Sequence, residues 1–93
     1  MTPEGKVKAR VKEILKHKGA WWCMPVGGGY GRAGIPDLLV CYKGKFLAIE
    51  TKAGRGKTTA LQDLCMEQIT AAGGRCVVIN ENNLTELADW LEK

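Results

Sequence analysis

Residues 34–54 read GIPDLLVCYKGKFLAIETKAG. Two strand-like runs, Leu38–Tyr42 and Phe46–Thr51, flank the tight turn Lys43-Gly44-Lys45, a pattern that predicts a β-hairpin. Its charges stand at costly places. Asp37 is at the mouth of the first run, Glu50 ends a stretch of Phe, Leu, Ala and Ile, and Lys52 follows. Side chains alternate along a strand, so Ala48, Glu50 and Lys52 share one face and Leu47 and Ile49 the other. The turn folds the first run back beside the second and brings Asp37 toward Glu50. Two carboxylates held close repel unless a proton or a cation lies between them. Hard oxygen ligands favour Mg²⁺ or Mn²⁺ over zinc. Lys52 beside them can hold a water or contact a phosphate, and the combination suits phosphodiester hydrolysis. The plainer alternative makes Glu50 and Lys52 a surface ion pair and Asp37 the cap of a turn after Pro36.

Upstream, Thr2-Pro3-Glu4 predicts a helix start, and Val7, Val11, Ile14 and Leu15 recur at helical spacing until Gly19. Glu4 lies on that apolar stripe and Glu13 projects from the other side, so Glu4 is the candidate third carboxylate; its alternative is a first-turn acid favoured by the helix dipole. Ala20–Val26 predicts a strand and Gly27–Gly34 a loop. Downstream, Thr58 or Thr59 opens a helix with Leu61, Leu64, Cys65, Ile69 and Ala72 on one face, ending at Gly73-Gly74. Arg75–Ile79 predicts a buried strand. Asn83 with Glu86 predicts a capping box for a last helix, with Leu84, Leu87, Ala88 and Leu91 inward. The order α-β-β-β-α-β-α predicts a single α/β domain over residues 1–93, a mixed sheet flanked by helices.

Of 93 residues, 45% are hydrophobic and 26% charged, which excludes a disordered chain. No apolar run approaches the roughly 20 residues of a membrane span, and the N-terminus lacks the apolar core of a signal peptide, so the expectation is cytoplasmic. The net charge is +4, with one basic cluster in the first helix and another around the hairpin, where Lys43, Lys45, Arg55 and Lys57 are candidate contacts to a polyanion such as DNA. Cys23, Cys41, Cys65 and Cys76 form no CxxC pair and His17 is the one histidine, which argues for buried, reduced thiols rather than a zinc site. Gly54–Thr59 (GRGKTT) mimics a nucleotide-binding loop, but the pattern wants glycine where Thr51 stands. A P-loop NTPase is therefore a distant reading. A DNA-binding module without chemistry is the nearer rival, although Asp37 and Glu50 would repel phosphates there.

On Glu4, GIPD (residues 34–37), ETK (residues 50–52) and Gln62, the chain resembles a small stand-alone VRR-NUC domain of the viral and bacterial type, a branch of the PD-(D/E)xK nuclease superfamily with a restriction-endonuclease-like core. The resemblance spans nearly the whole chain. It implies Mg²⁺- or Mn²⁺-dependent endonucleolytic cleavage of DNA, with Asp37, Glu50 and the Thr51 carbonyl as metal ligands, Lys52 acting on water or phosphate, and Glu4 and Gln62 as further site residues. Gln62 has a second reading, because Thr59-x-x-Gln62 is a capping-box pattern. The glycine loop reads as a DNA contact through Tyr30 and Arg32, or as a plain connection. The resemblance also implies branched DNA such as a four-way (Holliday) junction as substrate, and a homodimer. Adjacent Trp21 and Trp22 on opposite strand faces, and Trp90 off its helix stripe, are expected to leave aromatic surface for a partner copy.

Overall fold

The structure, a computed structural model, describes residues 1–26 and 33–93. Tyr30 and Arg32 lie outside the described residues. The elements are α1 (Pro3–Lys18), β1 (Trp21–Cys23), β2 (Leu38–Tyr42), β3 (Lys45–Thr51), α2 (Ala60–Ala71), β4 (Arg75–Ile79), a 3₁₀ turn (Leu84–Glu86) and α3 (Leu87–Glu92). This is the predicted order, with a 3₁₀ turn added before the last helix.

Local chemistry sets each boundary. The Thr2 hydroxyl accepts the Gly5 N–H at 3.0 Å, and Gly19 ends α1 in the left-handed conformation, where an L side chain is strained. The hairpin turn needs positive φ at both central residues, and Lys43 (φ 50°) and Gly44 (φ 79°) supply it. That places Lys45 in the strand rather than in the turn.

The sheet order is β1-β2-β3-β4. The first two pairings are antiparallel and β3–β4 is parallel, which requires the α2 crossover. Alternation then divides the side chains. Leu38, Val40, Tyr42, Leu47, Ile49, Val77 and Ile79 join Val7, Val11 and Leu15 of α1 and Leu87 and Leu91 of α3 in one core. Burying each such large aliphatic side chain stabilises the fold by about 1.5–3 kcal/mol.

The opposite face carries Trp21, Cys41 and Phe46 in one cross-strand row. Only α2 packs there, and it lies against β4. Its predicted apolar stripe is consequently mostly uncovered: Cys65 is buried, but Leu61 and Leu64 are 55% and 51% exposed. α1 and α3 are both committed to the core face, so among the described residues no helix covers the β1–β2 half.

Several expectations are corrected. β1 is three residues long rather than seven. Asn83 forms no capping box: its side chain accepts the Asn80 N–H and donates to the Val78 carbonyl, closing the turn after β4. All four cysteines are unbonded, but only Cys65 is buried and Cys41 is exposed, because Cys41 lies on the open face. Trp90 is half-buried against the core rather than exposed. Trp22 packs against the core while Trp21 is 64% exposed.

Candidate active site

The chemistry gathers where β2 begins and β3 ends. Extending the Leu38↔Ile49 register by one pair sets Asp37 opposite Glu50. The Asp37 N–H donates to Glu50 Oε1 at 3.1 Å. Asp37 Oδ2 accepts the Thr51 N–H at 3.0 Å and the Thr51 hydroxyl at 2.6 Å. Such charge-assisted bonds fix the carboxylate better than neutral ones do.

Glu50 is 2% exposed. Its Oε2 accepts from Gln62 Nε2 at 2.7 Å and lies 3.2 Å from Lys52 Nζ. Burial, and then the charge of Asp37, push its carboxyl above the ordinary value, and the Lys52 ammonium offsets part of that. The ionised pair is thus costly by itself, and the surrounding donors and cations stabilise it.

One register step further, Pro36 comes opposite Thr51. Thr51 directs its N–H to the β2 side, toward Asp37, while Lys52 N–H bonds the Ile79 carbonyl of β4. A residue in a strand turns its N–H and C=O the same way. The Thr51 carbonyl therefore faces Pro36, which has no N–H to donate. Two carboxylates and this carbonyl form a set of hard oxygens, the donor type that Mg²⁺ or Mn²⁺ takes.

Gln62 is a cap and also touches Glu50. It closes a reciprocal capping box with Thr59 at the start of α2 and turns its amide N–H to Glu50. Gly34 makes that placement possible. At φ +77° it lies against the Leu61–Gln62 backbone, where a Cβ would stand 2.4 Å from the Leu61 carbonyl oxygen.

The shape is shared with known structures. One solved structure, a VRR_NUC domain, superimposes with a TM-score of 0.81 at 27% identity, covering 96% of this chain and 97% of that one. The chain is a VRR-NUC-like domain. The Holliday junction resolvase Hjc of Archaeoglobus fulgidus shares the fold at a TM-score of 0.63 and 18% identity, covering 82% of this chain and 66% of its own. No family model and no curated protein matches.

Within the VRR-NUC-like domain, Asp37, Glu50, Thr51, Lys52 and Gln62 are brought together. Glu4 is half-buried on the core side of α1, and Glu13 is exposed and paired with Arg10. Yet among the described residues no group of three or more His, Cys, Asp or Glu is placed to hold a metal, so Glu4 does not complete the pair. Arg55 and Lys57 are exposed just beyond Lys52. Lys43 and Lys45 are not brought to the site: they sit at the turn, six residues along β3 from Thr51, or about 20 Å. There Lys43 pairs with Glu92 and Lys45 donates to the Lys93 carbonyl. A cleft of about 600 Å³ lined by Phe46, Ile69 and Arg75 is at that same far end and has no Asp or Glu among its described lining residues.

The sequence reading missed Lys8, whose ammonium lies 3.8 Å from Asp37 Oδ1. Its signal was its place four residues after Glu4, hence on the same side of the helix. It also missed the Thr51 hydroxyl, since a threonine in a strand is the commonplace reading of that position.

Proposed function

We propose that the chain is a divalent-cation-dependent endodeoxyribonuclease that hydrolyses phosphodiester bonds in branched DNA, with a four-way junction as the preferred substrate. The observation that carries this reading is the Asp37–Glu50 pair at the open end of the sheet, with Lys52 on Glu50 and the Thr51 carbonyl beside it. Asp37, Glu50 and the Thr51 carbonyl would hold Mg²⁺ or Mn²⁺, which when bound supplies charge stabilisation at the phosphate and an activated water. Lys52 Nζ, only 15% exposed in its side chain, orients the water or a phosphate oxygen. Gln62 fixes Glu50, and Thr51 fixes Asp37. Arg55 and Lys57 contact the DNA backbone, where each phosphate contact adds to the salt dependence of binding. A DNA-binding module without chemistry has no use for a carboxylate pair, one member buried, that repels phosphates.

The working unit is a C2 homodimer. Two cuts related by a two-fold axis need two sites, and the row Trp21–Cys41–Phe46 with Leu61 and Leu64 is an apolar surface that a second copy would bury. Light scattering should give twice the monomer mass for the wild type and the monomer mass for Leu64→Lys; a wild-type monomer overturns this part. We place the protein in the cytoplasm, a reading supported by its four unbonded thiols. No helix among the described residues is long and apolar enough to cross a membrane.

The test is cleavage of labelled duplex, single-stranded, flap and four-way DNA with Mg²⁺, with Mn²⁺ and with chelator. The reading predicts cation-dependent cutting, fastest on the four-way substrate. Binding of all four without cutting would transfer support to the non-catalytic module.

A further inference from the structure

Lys8 has no place in the site as read from the sequence, yet it is the second ammonium group there. α1 carries it to the mouth of β2, where it faces Asp37 Oδ1 at 3.8 Å with the Lys8 and Asp37 side chains 24% and 25% exposed. The four carboxylate oxygens of the site are held unequally. Glu50 Oε1 has the Asp37 N–H, and Glu50 Oε2 has Gln62 and Lys52. Asp37 Oδ2 has both Thr51 donors. Among the described residues, Asp37 Oδ1 has only the Lys8 ammonium, at 3.8 Å and so beyond direct hydrogen-bond distance. It is the oxygen an incoming cation takes most easily, and taking it displaces Lys8.

Resting on the nuclease reading above, we propose that Lys8 is an exchange cation: it neutralises Asp37 in the metal-free protein and passes to a DNA phosphate when a divalent cation occupies Asp37 Oδ1, so that DNA and cation favour each other's binding. The charges support this. Without a cation, two carboxylates face two ammonium groups among the described residues, and these four charges balance. With one, it holds two excess positive charges beside a lysine that has lost its partner, and a phosphate restores the balance. Binding a phosphate to Lys8 likewise frees Asp37 for the cation. Linkage makes the two effects equal in magnitude. A loosely spaced, partly exposed pair adds little to stability, so releasing it costs the fold little.

The test compares wild type, Lys8→Gln and Lys12→Gln. The Lys12 ammonium is one turn further along α1, over the Trp22 ring at 5.9 Å, and controls for general loss of positive charge. Ca²⁺ serves as the probe, a divalent cation that takes oxygen ligands. Its affinity is measured calorimetrically with and without a short DNA duplex, and duplex affinity by anisotropy with and without Ca²⁺. Lys8→Gln should bind Ca²⁺ alone roughly 3- to 10-fold more tightly, because a repelling charge is gone. The factor by which Ca²⁺ and DNA strengthen each other should shrink at least about threefold. Lys12→Gln should weaken DNA binding and leave both the Ca²⁺ affinity and that mutual factor unchanged. Unchanged Ca²⁺ affinity in Lys8→Gln, or a mutual factor equal to the wild type's, overturns the exchange. A wild-type chain that binds no Ca²⁺ at millimolar concentration defeats the nuclease reading itself, and the exchange with it.

Discussion

Asp37 and Glu50 hold each other's strand: the Asp37 N–H donates to Glu50 Oε1, while the Asp37 carboxylate accepts the N–H and hydroxyl of Thr51, the residue after Glu50. Each acid is anchored to the opposite chain, so their separation is set by the hairpin register and not by their own repulsion. That register is fixed in turn by a two-residue turn at the other end, about 20 Å away.

The double duty of Gln62 separates stability from activity. Gln62→Glu keeps an oxygen for the Thr59 N–H, and with it the cap, but sets a third negative charge against Glu50 Oε2. Cleavage should fall by at least about 10-fold. Gln62→Ala should lose both contacts, lowering stability by about 1 kcal/mol as well. Melting curves run beside initial rates check this; equal activity in Gln62→Glu and wild type would remove Gln62 from the site.

Gly34 and Gly44 have the same backbone sign and different surroundings. A Cβ at Gly34 (φ +77°) meets the Leu61 carbonyl oxygen at 2.4 Å, whereas a Cβ at Gly44 (φ +79°) meets nothing within 4 Å. Gly44→Ala should cost about 1 kcal/mol from the left-handed backbone alone. Gly34→Ala should cost more than about 2 kcal/mol, or roughly 10 °C in melting temperature, and also shift Gln62 away from Glu50. Similar melting temperatures for the two variants would contradict the packing described for α2.

Glu92 ties the end of α3 to the hairpin turn. Its Oε1 accepts the Tyr42 hydroxyl at 3.1 Å, and Lys18 and Lys43 lie at 3.7 and 3.8 Å. The Tyr42 hydrogen bond, with the two ammonium groups, holds its carboxyl below the ordinary 4.5. A lowered folded value means stabilisation that is present above the unfolded value and lost as pH falls through the folded one. Glu92→Gln should therefore melt slightly below wild type at pH 7, and the two curves should converge as pH drops below 4.5. A gap that persists in acid would assign the effect to packing.

The sequence made the hairpin legible because its signals agree. Alternating burial, a turn needing positive φ and a misplaced acid–acid–lysine set all require one arrangement, and the β4 boundaries followed from an apolar run between glycines and asparagines. Where the readings failed, a side chain had two physical uses. Asn83 can cap a helix or close a turn, and the demand of the β4 end prevailed. Leu61 and Leu64 read as core because periodicity reports amphipathicity and cannot report which face another element covers. Lys8 was hidden for a related reason: a lysine in a basic helix reads as solvated until the fold brings Asp37 beside it. Lys43 and Lys45 were grouped with the site by their distance in sequence, although a strand carries its two ends far apart in space.

The most direct test of the central claim is Mg²⁺-dependent cutting of a labelled four-way junction by wild type, Asp37→Asn and Glu50→Gln at matched folded concentration. The account predicts product from the wild type, and a rate reduced by more than about 100-fold in each variant, with metal-free DNA binding kept or strengthened as a negative charge is lost. Wild-type-like cutting by Asp37→Asn would contradict it.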